Sequence, residues 1–153
     1  MGIARDGIRV GRQAPVWAAN DAFGALQQCP NRSAWQVLVF ADQELAFFSD
    51  LAAGLNHIRQ SEPLVDVVIV SSRSREICQV IAETLELTVP IVPDSTDLYR
   101  RFRVRVRPFV HVIDPKGIVR AKGIANYEET VRAFLRWARS STSASLQATK
   151  LPA

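Results

Sequence analysis

The side chains in this chain that could do chemistry are two thiols, a run of arginines, two histidines and a few acids ahead of a helix. Cys29 and Cys78 lie far apart with no histidine beside either, which is neither a metal-ligand spacing nor a redox dithiol. Cys78 borders the apolar face marked by Ile77, Val80, Ile81 and Leu85, where a free cysteine packs as a small, inert hydrophobe. Cys29 precedes Pro30 at a loop edge, which leaves it as the exposed thiol and the candidate for reactivity. Arg100, Arg101, Arg103, Arg105 and Arg107 crowd one short stretch. In an extended segment Arg103, Arg105 and Arg107 would share one face, with Val104 and Val106 on the other. Guanidinium forks suit carboxylates and phosphates; the competing reading is a solvated basic edge that discourages strand-to-strand aggregation. No aromatic platform interleaves these arginines and the total charge is modest, so nucleic acid is not an expected partner. His111 alternates with apolar residues inside a strand and His57 sits late in a helix. Neither has a Cys, Asp or second His at ligand spacing, so neither a metal nor a cofactor is expected.

The elements that must position these groups follow from periodicity and turn chemistry. Residues 1–10 read as a flexible lead, and Gly11-Arg12-Gln13-Ala14-Pro15 opens the domain. The turn cluster Asn20-Asp21-Ala22-Phe23-Gly24 separates two short extended pieces, a small hairpin. The apolar run over 36–41 predicts a strand buried on both faces. Asp42 is placed to cap the helix that follows, whose stripe is Leu45, Phe48, Ala52, Leu55 and Ile58. Val65 to Val70 completes a βαβ unit. A second helix runs through Leu85, Ile91-Val92 forms a short extended piece between prolines, and Leu98, Tyr99 and Phe102 fit one or two helical turns. Phe109 to Ile113 and Ile118 to Ala121 flank the turn Asp114-Pro115-Lys116-Gly117. Asn126 and Glu129 have capping-box spacing before a helix faced by Val131, Phe134, Leu135 and Ala138. The domain is expected to span 11–139, and the Ser, Thr and Ala of 140–153 read as a disordered tail.

Bulk properties narrow the class. The chain has 153 residues, 48% of them hydrophobic and 22% charged, the size and balance of one globular domain. Its net charge of +4 fits an acidic partner without demanding one. No apolar run has membrane-spanning length and the start of the chain has no signal-peptide pattern, so the expectation is a soluble, cytoplasmic protein with no membrane segment.

The βαβ-then-ββα order resembles the thioredoxin fold: α/β, a central mixed sheet with helices on both faces, and here an N-terminal hairpin extension. Gly11-x-x-Ala14-Pro15, Asp21-x-x-Gly24 and Ile113-Asp114-x-x-Gly117 resemble the TlpA-like thiol–disulfide oxidoreductases and AhpC/TSA-like peroxiredoxins, families often extracytoplasmic. Val119-Arg120-Ala121-Lys122-Gly123-Ile124-Ala125-Asn126 is similar to the accessory thioredoxin-like protein of methylamine dehydrogenase maturation. The likeness covers about residues 11–138. It implies a Cys-x-x-Cys at the start of the first helix, where this chain has Leu45 and Phe48. A helix N-terminus would there stabilise a thiolate and a second thiol would resolve the mixed disulfide. Leu45 and Phe48 do neither, and Asp42 and Glu44 make the first turn acidic. No peroxidatic cysteine stands between Phe40 and Phe48 either. The likeness further implies a cis bond at Arg107-Pro108. The degenerate site is then Asp42, Gln43, Glu44, Leu45, Phe48 and Pro108, and partner contacts fall to Phe47, Arg103, Arg105 and Arg107. The leading expectation is a redox-inactive module, without catalytic residues, that binds a protein or extended peptide, acidic if the arginines take part. The alternatives are a thiol enzyme working through Cys29 or Cys78, and an anion binder on the arginine edge. Oligomeric state is not legible.

Overall fold

The computed structural model describes residues 6–44 and 47–150. Among the described residues, seven strands run β1 (Trp17–Asn20), β2 (Leu26–Cys29), β3 (Trp35–Phe40), β4 (Val65–Val70), β5 (Ile91–Val92), β6 (Phe109–Ile113) and β7 (Val119–Ile124). The helices among them are α1 (Phe48–Ser61), α2 (Arg75–Thr84), α3 (Thr96–Arg101) and α4 (Glu128–Lys150). The main sheet has the order β5-β4-β3-β6-β7, and β1-β2 form a separate antiparallel hairpin. Strands β3, β4 and β5 are parallel, while β6 and β7 are antiparallel additions. This is the expected mixed sheet, with the expected hairpin at its N-terminal side.

Alternation along the central strands sorts the core into two layers. Val37, Val39, Val67, Ile69, Val110 and Val112 face α1, α2 and α4. Leu38, Phe40, Val68, Val70 and Phe109 face α3 and the hairpin. A side-chain period of two gives each strand one residue set per face. With both faces covered, the run 37–41 is fully buried.

Three boundaries differ from the sequence reading. Residues 6–10, expected to be a flexible lead, lie across the α3-side face of the sheet. The Gly7 N–H donates to the Arg103 carbonyl (2.9 Å), the Ile8 N–H donates to His111 Nε2 (3.0 Å), and Asp6 is buried. Gly7 has φ 76°, and a Cβ there would come within 2.6 Å of the Phe109 ring and 2.8 Å of His111, so only glycine lets this strap lie so close. At the other end α4 continues to Lys150 where a tail was expected; alanines, Leu146, Gln147 and Lys150 are good helix formers. Helix α4 also starts at Glu128, with the Tyr127 carbonyl accepting from the Thr130 and Val131 amides, so Asn126 does not take the N-cap place.

Candidate functional site

The C-terminal ends of β3 and β4 meet the start of β6 at one edge of the sheet. Phe40 pairs with Phe109 across β3 and β6, which puts Arg107-Pro108 beside the chain leaving β3. The Arg107–Pro108 bond is cis, as is Cys29–Pro30. Asp42 does not cap a helix. Its carboxylate is buried and accepts from Ser71 Oγ (2.8 Å), the Ser72 N–H (2.9 Å), Ser72 Oγ (2.7 Å) and Arg107 Nη1 (2.7 Å). A buried carboxylate is tolerated when its lone pairs are filled in this way. Arg107 also lies over the Tyr99 ring, 4.7 Å from its centroid, a cation–π arrangement. The Tyr99 hydroxyl donates to the Val70 carbonyl (3.0 Å), and burial, with the Asp42 charge next, raises its pKa. One carboxylate therefore ties together the ends of two parallel strands and the loop before the cis proline.

Beyond Asp42, Gln43 and Glu44 are exposed and Phe48 is buried at the start of α1. Leu45 lies outside the described residues. Phe47 takes the N-cap place of α1 with φ 67° and no side-chain cap. That backbone region is an outlier for a bulky side chain. The Phe47 ring is 54% exposed and meets the Tyr127 ring at 5.7 Å between centroids; Tyr127 is exposed too. A groove of about 280 Å³ opens beside it between α1 and α2, with Gln43, Phe47, Phe48, Val80, Ile81 and Leu85 in its wall.

The arginine run is a loop, not a strand. Arg103 has φ 58°, and residues 103–108 lie outside any strand before β6 begins at Phe109. The expected alternation survives as burial: Arg103, Arg105 and Arg107 are exposed, Val104 is buried and Val106 half-buried. The three do not form a free cationic face, however. Arg107 is committed to Asp42, and Arg105 Nε donates to Asp6 Oδ1 (3.0 Å). Arg100 pairs with Asp97, and Arg101 donates to the Val16 carbonyl (2.7 Å). Arg103 alone makes no side-chain hydrogen bond among the described residues.

Neither thiol is presented to solvent. Cys29, expected at an exposed loop edge, ends β2 with 1% exposure because its side chain turns into the α3-side core. Burial, then the Asp66 charge, pushes its pKa up to about 12. Cys78 is buried in the other layer, and burial raises its pKa as well. Both are free thiols. Low reactivity follows, because the thiolate is the nucleophile. His111 is buried among Phe40, Phe102 and Phe109, and burial, then the nearby Lys122 charge, lowers its pKa to about 3. His57 is exposed and meets Glu128 at 2.8 Å. Among the described residues no group of three or more His, Cys, Asp or Glu could hold a metal, and no helix is long and apolar enough to cross a membrane.

Sequence reading missed the Asp42–Ser71–Ser72 anchor, the Asp6–Arg105 pair and the Phe47–Tyr127 contact. The first carried one visible sign: Ser71-Ser72 follows β4 as Asp42 follows β3, and parallel pairing brings those ends together.

No family model matches this chain, and no curated protein matches it. Solved structures do. The thioredoxin domain of a thiol-disulfide oxidoreductase from Bacteroides vulgatus aligns with TM-score 0.70 and 18% identity over 83% of this chain and 98% of its own. A Chlorobium tepidum chain assigned as a thiol:disulfide interchange protein, DsbE, aligns with TM-score 0.77 and 14% identity, covering 87% and 97%. Peroxidoxin BcpB from Mycobacterium tuberculosis aligns with TM-score 0.73 and 15% identity, covering 87% and 97%. The fold is thioredoxin-like.

Proposed function

We propose that this protein is a redox-inactive thioredoxin-fold module that holds an extended segment of a protein partner at the face around Asp42, Phe47 and Pro108, where Phe47 is the exposed member. The observation that carries this reading is the Phe47 ring, displayed to solvent from a backbone conformation that disfavours it. Strained residues persist where the surroundings impose them or function keeps them, and exposed aromatic side chains anchor interfaces. The ring sits at the start of α1, where redox members of the resembling families carry their dithiol, and this chain has no cysteine from Asp42 through Phe48. The neighbouring groove supplies apolar surface, and the Asp42 network holds the cis-proline loop in place beside it. The finer likeness of Val119–Asn126 would make the partner an enzyme whose maturation needs an accessory protein; finding a dehydrogenase maturation cluster beside the gene would support that narrower assignment, and its absence would remove it.

A second reading, a thiol–disulfide enzyme or peroxidase using Cys29 or Cys78, is favoured by what the structural neighbours are. Burial of both thiols weighs against it.

Two measurements test the proposal. Insulin reduction with dithiothreitol proceeds at the background rate; acceleration lost on Cys29→Ser or Cys78→Ser overturns the redox-inactive reading. Peptides selected from a random display library on the native protein lose affinity for Phe47→Gly. Glycine accepts φ 67° without strain, so this variant stays folded. Unchanged binding by Phe47→Gly removes the ring from the site.

A further inference from the structure

A concavity of about 360 Å³ has Tyr99, Arg100, Arg103, Val104 and Arg105 in its wall. Among the described residues, three of the five in its wall are arginines and none is acidic. Two carboxylates attend this group from outside the wall: Asp97 beside Arg100 and the buried Asp6 beside Arg105. Lys122 Nζ donates to the Asp6 backbone carbonyl (2.8 Å). Asp6 holds Arg105 by Nε, which fixes the guanidinium by one edge; its two outer nitrogens have no hydrogen-bond partner among the described residues. Such an arginine is pre-set, so a ligand need not pay for ordering it.

Arg103 supplies the second observation. Its amide donates to the Arg100 carbonyl (3.0 Å), and the Val104 amide donates to the Tyr99 carbonyl (2.8 Å). This pair of bonds is the Schellman ending of a helix, with Arg103 at the position, φ 58°, that glycine ordinarily takes. An arginine there is conformationally disfavoured, and its side chain has no hydrogen-bonding partner among the described residues. Glu86 ends α2 in the same conformation, φ 52°; what sets Arg103 apart is that its guanidinium, unpaired among the described residues, belongs to the wall of the concavity.

We propose that this concavity binds a phosphate monoester. A phosphoryl group carries close to two negative charges and three acceptor oxygens, which matches the forks of Arg103 and Arg105 with Arg100 at the rim. A carboxylate offers one charge and two oxygens and fills the set less completely. The remaining volume, bounded by Tyr99 and Val104, takes the organic part of the ester. The site is separate from the Phe47 groove and stands or falls independently of the partner reading.

Amide shifts in two-dimensional NMR test the assignment, with phenyl phosphate, inorganic phosphate and acetate titrated at equal ionic strength. Phenyl phosphate is expected to saturate, with a dissociation constant of order 1 mM because the arginines are solvent-exposed. Shifts should centre on residues 99–105, inorganic phosphate should bind several-fold more weakly, and acetate should give only small linear shifts. Inorganic phosphate binding as tightly as the ester would overturn the ester and leave a free-phosphate site. Arg103→Gly, which relaxes the helix ending, should keep or raise the urea midpoint while weakening phenyl phosphate at least about fivefold, and Arg136→Ala on α4 should change nothing. Arg103→Gly binding phenyl phosphate as the native protein does, acetate matching the phosphates, or no saturable shift at about 10 mM would each overturn the proposal.

Discussion

Replacing Asp42 by alanine removes a carboxylate that four donors share, and the structure sets how much that costs. Ser71 Oγ is buried and loses its acceptor outright, which costs about 1–3 kcal/mol. The Ser72 amide and hydroxyl are half-buried and Arg107 is about a third exposed, so water replaces part of what they lose and each is discounted. The total comes to about 3–5 kcal/mol, the range for breaking a buried charged network. Arg107→Ala is milder, about 1–2 kcal/mol, because Asp42 keeps its two serine hydroxyls and the Ser72 amide while the solvent-screened ion pair and the contact over Tyr99 are lost. The double variant should cost less than the sum of the two by about 1 kcal/mol. Urea unfolding followed by circular dichroism measures all three; with a slope of about 2 kcal/mol per molar, Asp42→Ala should move the midpoint down by about 2 M. A helix cap is typically worth only about 1 kcal/mol and would not couple to Arg107. A loss near that value, additive with Arg107→Ala, would refute the anchor.

Three further outcomes follow from the same structure. The folded-state pKa of His111, about 3, lies below its ordinary value of about 6.5, so between those limits the unfolded chain binds the extra proton. Stability from this group is complete above pH 6.5 and falls on acidification towards pH 3, with a limiting slope of about 1.4 kcal/mol per pH unit; His111→Phe should show a shallower acid limb in urea titrations at stepped pH, and an identical limb would count against it. Ellman's reagent at pH 8 should find essentially no reactive thiol in the native protein and both Cys29 and Cys78 in guanidinium, and rapid native labelling of Cys29 would contradict its burial. Gly7→Ala should cost about 1–3 kcal/mol, since its Cβ meets the Phe109 and His111 rings at a positive φ; thermal unfolding unchanged by the substitution would show that the strap is not packed there.

The elements were legible because their causes are local. Apolar runs over 36–41 and 65–70, the Asp114-Pro115-Lys116-Gly117 turn and the stripe of α4 each state their own period, and the fold follows from their order. Asp42 was misplaced because an acid before a helix has two physical uses, and the choice depends on Ser71, Ser72 and Arg107, which sequence distance hides. The lead at 6–10 was missed for the same reason: its partners, Arg103, Arg105 and His111, lie about a hundred positions downstream. Cys29 was read as exposed from its neighbour Pro30, whereas the pairing of Trp17 with Cys29 across the hairpin turns its side chain into the core. Phe47 was named as a partner contact, but its positive φ carries no sequence signal, since that conformation on a phenylalanine is set by the chain around it.

The strap and the anchor act on one loop from opposite ends. Residues 103–107 leave α3 in the Schellman ending and enter β6 through Pro108. At the start of this loop Gly7 holds the Arg103 carbonyl and Asp6 holds Arg105; at its end Asp42 holds Arg107. Two of the arginines in the run therefore work as tethers, each neutralising a carboxylate buried in the sheet face or its edge. A loop of this length without strand pairing would otherwise sample many conformations, and loop ordering is a cost that a ligand must meet on binding. Fixing it in the free protein holds the backbone that carries Arg103 to the concavity and the buried Pro108 into β6. The basic run thus serves mainly as structure, and Arg103, whose side chain has no such duty among the described residues, is the one left to line the concavity.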